Sequence, residues 1–169
     1  MGEFIVDTDG YTVVYTDGAC LSNGKNGAVA GIGVWFRGGN PYNLSQPVIG
    51  RATNNNAEIQ AITAAANQAN IAGIRCLKIF TDSQFAINCA TKWIYTWKKN
   101  GWKTQDGRNV INKSELQVME MALEPLNIKF VHVNSHQGNY GNQEADRLAR
   151  AGCEKYKPEY YYDSSSSDD

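Results

Sequence analysis

The chain has no apolar run approaching the ~20 residues of a membrane span, and its N-terminus lacks the basic-then-apolar layout of a secretory signal. A membrane partner is therefore not expected, and the chain reads as intracellular. Its four cysteines, Cys20, Cys76, Cys89 and Cys153, form no C-x-x-C pair and no metal-ligand spacing with the two histidines, so they read as reduced thiols. Net charge is almost absent as well: 16 Lys+Arg stand against 17 Asp+Glu, a balance that speaks against a polyanionic partner. With 169 residues, of which 42% are hydrophobic, one domain can bury a core without disulfide or metal staples.

What is present changes that first impression. Residues 1–10 carry three acids and no base, and residues 154–169 carry five acids and two bases, leaving residues 11–153 with 14 bases against 9 acids. Six bases, Lys92, Lys98, Lys99, Lys103, Arg108 and Lys113, fall within 22 residues that hold one acid, Asp106. Such a block is ordinarily a solvated face. Here Trp93, Tyr95, Trp97 and Trp102 interleave with it, which suits a surface made for a phosphate backbone.

Turn signals and periodicity divide the chain. A strand over 11–16 ends at Asp17-Gly18 and runs into a Gly/Ser/Asn loop over 18–27, followed by strands at 28–37 and around 42–49 that complete an antiparallel meander. An amphipathic helix over 57–70 follows N-cap candidates at 53–56 and places Glu58 in its first turn. A strand over 76–81, a helix over 84–90, the basic segment at 92–111, a helix over 113–123, a strand over 128–133 and a helix capped by Asn142 complete the order. The expectation is an α/β fold with one five-stranded mixed sheet, three strands antiparallel and then two parallel, flanked by helices and bearing a basic protrusion at about 92–112. Residues 1–10 read as an N-terminal extension, 11–153 as the domain and 154–169 as an acidic, disordered tail.

Four acids stand at element ends: Asp17, Glu58, Asp82 and Asp146. Each alone has a bland reading as a turn residue, a cap, a helix-dipole partner or an ion-pair member. Together they point further. If the first and fourth strands lie side by side, Asp17 and Asp82 converge, and a helix N-terminus can bring Glu58 over them. Clustered carboxylates repel unless a cation compensates them, and hard oxygen donors select Mg²⁺ or Mn²⁺. Two such ions suit phosphodiester hydrolysis, for which the basic block supplies a polyanion.

Tyr15-Thr-Asp-Gly18, Thr53-Asn-Asn-Asn-Ala-Glu58, Phe80-Thr-Asp-Ser83, Ser135-His136-Gln-Gly138 and Gly141-Asn-Gln-Glu-Ala-Asp-Arg-Leu-Ala149 together resemble the signature of type 1 ribonuclease H. Trp93 through Thr104, ending Trp97-Lys-Lys-Asn-Gly-Trp-Lys-Thr104, is similar to the basic protrusion of its cellular eukaryotic members. The resemblance implies a ribonuclease H-like fold. It also implies a monomeric endonuclease that cuts the RNA strand of an RNA/DNA hybrid, leaving 5′-phosphate and 3′-hydroxyl ends. On this resemblance Asp17, Glu58, Asp82 and Asp146 hold two Mg²⁺ ions, with Mn²⁺ as a substitute. His136 assists proton transfer or product departure. Cys20, through its backbone, with Ser22, Asn23 and Asn54, touches the minor groove or the 2′-hydroxyls. Arg51, Thr53 and Asn112 form a pocket for a DNA-strand phosphate, and Trp93 and Trp97 line the DNA channel. Asn55 and Gln105 are further substrate contacts. His132 and Trp102 read as structural. Asn56 and Ser135 depart from the Arg and Gly of many members. Rival readings are a reverse-transcriptase-associated ribonuclease H domain and a non-catalytic hybrid-binding module.

Overall fold

The structure is a computed structural model, and it describes residues 3–135 and 138–158. Its strands and α-helices follow in order among these residues. They are β1 (Thr12–Leu21), β2 (Val29–Trp35), β3 (Leu44–Pro47), α1 (Asn54–Ile71), β4 (Cys76–Thr81), α2 (Gln84–Asn88), α3 (Ile94–Asn100), α4 (Lys113–Leu123), β5 (Asn127–His132) and α5 (Tyr140–Cys153). The strands form one sheet in the order β3-β2-β1-β4-β5, with β1–β2 and β2–β3 antiparallel and β1–β4 and β4–β5 parallel, as the sequence predicts.

The side-chain alternation of β1 sends its two faces to different helices. Val14 and Val34 join Ile59, Ile62, Leu77, Ile79, Leu116 and Met119 in the main core beneath α1 and α4. On the opposite face Tyr15 stacks on Phe80 and meets Trp35 edge-on, while Trp35 meets Tyr140 of α5. There α5 lies directly on β2, because a Cβ at Gly33 would collide with the Ala145 carbonyl oxygen.

Several expectations need correction. β1 does not give way to a loop at Gly18; its pairing with β2 continues to Leu21↔Val29, since antiparallel partnering overrides the Gly and Ala turn signals. The helix starting at Gln84 does not stop near residue 90. It passes through a π-helical turn, Cys89–Trp93, into α3 and ends at Gly101, whose φ of 76° lets the chain reverse. α5 is capped by Asn139, whose side chain accepts from the Asn142 N–H, so Asn142 is the recipient of the cap. Because α1 begins at Asn54, Glu58 falls beyond the first turn. Residues 3–10, read as an extension, fold back on the sheet: Val13 N–H donates to the Ile5 carbonyl (2.8 Å) and Phe4 packs edge-on against Phe36 (5.3 Å between ring centroids).

Candidate active site

The registered pairing of β1 with β4 ends at Tyr15↔Phe80. Asp17 and Asp82 each lie two residues further on, so the parallel register alone sets them abreast where the two strands part. Asp17 also pairs with Gly33 across the antiparallel ladder, and Gly33 is where the Ala145 backbone of α5 touches the sheet. Asp146 thereby approaches Asp17 from the α5 face. From the other face α1 comes just as close at Gly18, where a Cβ would stand 2.5 Å from Ala57 C and Glu58 N. That glycine lets the Glu58 backbone rest against the residue following Asp17.

Carboxylate oxygens of Asp17, Glu58 and Asp82 all lie within 4.8 Å of one another. Asp17 is 5% exposed. Among the described residues Glu58 Oε2 is buried with no hydrogen-bond donor. Burial, followed by the charges of Glu58 and Asp82, pushes the Asp17 carboxyl up to about 10. Glu58 is also raised, by burial and by Asp82, against the opposing Asp17 side chain and Gly18 amide. Asp82 is raised by burial and by Asp146, opposed by its own amide and by His132. His132, read as structural, sets Nε2 3.2 Å from the Asp82 carbonyl oxygen. An acidic triad with an orphaned inner oxygen fits a hard divalent cation, which would compensate the charge of its three carboxylates.

Asp146 stands outside the triad. Its Oδ2 accepts from Arg150 Nε at 2.9 Å, one helical turn on. Both residues line the same cleft of about 420 Å³ with the triad, Cys20, Asn54 and Asn142. The reading of Asp146 as an ion-pair partner of Arg147 or Arg150 holds for Arg150, and Asn142, read as a cap, also lines the cleft.

The family profile of RNase H matches residues 9–154. The chain belongs to the RNase H family. It is 46% identical over 155 residues to Ribonuclease H1 of Homo sapiens, an alignment covering 92% of this chain and 52% of that one. With Ribonuclease H of Cyanothece sp. it shares 35% identity over 146 residues, 86% of this chain and 91% of that one. The chain spans about half the length of the mammalian relatives it matches. Among solved structures, the crystal structure of LC9-RNase H1, a type 1 RNase H with the type 2 active-site motif, superposes with a TM-score of 0.67. That match is at 26% identity and covers 86% of this chain and 72% of that one.

The remaining predicted RNase H contacts are distributed as follows. Ser22 (φ 62°) and Asn23 form the β1–β2 turn, and Asn23 Oδ1 accepts from the Asn54 N–H, tying that turn to the start of α1. Thr53 caps α1, its hydroxyl accepting from the Asn56 N–H at 3.2 Å. Arg51, Asn55 and Gln105 are exposed, and Asn112 takes a left-handed conformation (φ 65°) immediately before α4. Trp93, Trp97 and Trp102 form a continuous aromatic row, with successive centroids 6.0 Å apart. It runs from the exposed Trp93 to Trp102, which is buried as the sequence predicts. His136 lies outside the described residues.

Proposed function

We propose that this chain is a metal-dependent endonuclease that hydrolyses the RNA strand of RNA/DNA hybrids, leaving 5′-phosphate and 3′-hydroxyl ends. The observation carrying this reading is the triad Asp17, Glu58 and Asp82, gathered within 4.8 Å with the buried Glu58 Oε2 lacking a donor among the described residues, in a chain of the RNase H family. A module that only binds nucleic acid gains nothing from carboxylates aimed at a phosphate backbone. Asp17, Glu58 and Asp82, joined by Asp146, are the residues that would hold Mg²⁺, two ions on this reading, with Mn²⁺ as a substitute. When bound, these ions polarise the scissile phosphate and lower the pKa of the attacking water.

The chain's own groups supply recognition and placement. Asn54, the Cys20 backbone and the Ser22–Asn23 turn meet the minor groove, where 2′-hydroxyls separate RNA from DNA. Arg51, Thr53 and Asn112 take a DNA-strand phosphate, which sets register without reading sequence. The Thr53 hydroxyl, already accepting from Asn56, retains its proton for that oxygen. Trp93 and Trp97 offer flat faces to deoxyribose, while Asn55 and Gln105 extend the contact surface. His136 is assigned to proton transfer or product departure.

The test is a labelled hybrid incubated with Mg²⁺. Cleavage of the RNA strand is expected, with matched DNA duplex and double-stranded RNA left intact. No cleavage with either Mg²⁺ or Mn²⁺ would overturn the proposal in favour of a binding module.

A further inference from the structure

The segment joining β3 to α1 is a surface linker, whose carbonyls would ordinarily be left to water. Here four successive ones, those of Ile49, Gly50, Arg51 and Ala52, each accept from a different side chain. Gln60 Nε2 donates to Ile49 (2.7 Å), Tyr156 OH to Gly50 (2.7 Å), Asn56 Nδ2 to Arg51 (2.8 Å) and Cys20 Sγ to Ala52 (3.4 Å). Gln60 closes the frame, since its Oε1 accepts from the Ile49 N–H (3.0 Å) and its Nε2 also reaches Asn56 Oδ1 (3.0 Å). Asn56 is fully buried, and its amide is satisfied by the Arg51 carbonyl and by Gln60. The clamp holds the backbone of an exposed Arg51, one residue before the Ala52-Thr53 entry to α1.

We propose that Asn56, Gln60 and Tyr156 are positioning residues that preorganise Arg51 for a phosphate of the bound nucleic acid; this rests on the hybrid reading above. Tyr156 follows α5, the helix that carries Asp146, so its hydrogen bond ties the helix end to the phosphate anchor. Anchor and carboxylates therefore keep one spacing along the substrate. A rigid anchor saves the ordering entropy of the linker on binding.

The test compares Tyr156→Phe, Gln60→Met, Arg51→Ala and the double variant Tyr156→Phe/Arg51→Ala in the full chain, by steady-state cleavage and by salt-dependent binding of hybrid. Arg51→Ala is expected to lower the slope of log K against log salt by about 0.9, the share of one phosphate contact on a duplex. Tyr156→Phe and Gln60→Met should each raise KM roughly 5-fold, the worth of about one hydrogen bond, with kcat retained and the slope reduced. The double variant should match Arg51→Ala alone. Tyr156→Phe and Gln60→Met variants that melt earlier but keep KM and slope would overturn the proposal, as would effects that add to those of Arg51→Ala. If Arg51→Ala changes neither quantity, the anchor itself fails. If the wild type does not cut hybrid, the functional reading fails separately, and the binding slopes still decide the clamp.

Discussion

Asp17→Asn is expected to stabilise the metal-free protein while abolishing cleavage. Asp17 is buried beside Glu58 and Asp82, which together hold its carboxyl far above its ordinary 3.8. A carboxyl raised in the folded state contributes stability that is fully present below the unfolded value and is lost as pH rises toward the folded one. At neutral pH the loss spans about 3 pH units at about 1.4 kcal/mol each, hence at most about 4 kcal/mol. Asparagine keeps the shape, carries no charge and can donate its amide to Glu58 Oε2, the buried oxygen with no donor among the described residues. At roughly 2–4 °C per kcal/mol for a chain of this size, the variant should melt on the order of 10 °C higher than wild type in EDTA at pH 7 to 8. The difference should shrink toward pH 4. Mg²⁺ should close the gap by raising the wild-type Tm, because it binds the ionised folded site, and should raise the variant little. Differential scanning calorimetry at pH 4 and pH 8, with and without Mg²⁺, reads all four quantities. A variant melting at or below wild type in EDTA at pH 8, or an equal Mg²⁺ shift in both proteins, would refute the reasoning. Retained hybrid binding without cleavage completes the expected phenotype.

Gly18→Ala should lose activity by roughly 100-fold and stability by about 1–3 kcal/mol, because its methyl meets α1 backbone at Ala57 and Glu58 and moves Glu58 off Asp17. Wild-type kcat in this variant would show that the close approach is not needed. In the protrusion, Lys98 is engaged by Glu120 at 3.3 Å, whereas no carboxylate among the described residues pairs with Lys99. Lys99→Ala should therefore flatten the salt dependence of hybrid binding by up to about 0.9, and Lys98→Ala by less; equal slopes would remove the distinction. Asn139→Ala removes the cap of α5 and should cost about 1 kcal/mol in chemical denaturation, with cleavage falling because α5 carries Asp146. A loss confined to stability would uncouple the cap from the site.

The elements most legible in the sequence were those closed by local signals. β4 occupies 76–81 and α4 113–123, the bounds read from the sequence. The readings that failed were those where a partner outvotes a local signal. Gly18-Ala19 reads as a turn, yet β2 holds it in the ladder through Leu21. The stretch at 89–100 lacks a regular apolar stripe, yet the Phe85–Trp93–Trp97–Trp102 row packs it as one continuous helical path. Asn142 reads as the cap of the last helix, yet the path of the chain into α5 gives that place to Asn139, which accepts from the Asn142 N–H.

The site divides in the same way. Four acids in polar or glycine-bearing contexts, a basic aromatic block and five motifs in order were determined by sequence, because side-chain chemistry and spacing are written there. Which acids meet was decided by tertiary structure. The β1–β4 register sets Asp17 abreast of Asp82, and a missing Cβ at Gly18 admits Glu58. Asp146 reaches the same cleft from α5, ion-paired with Arg150 at 2.9 Å. The clamp on Arg51 belongs wholly to the second kind: Cys20, Asn56, Gln60 and Tyr156 are scattered over 136 positions, and only packing brings their hydrogen bonds onto four consecutive carbonyls.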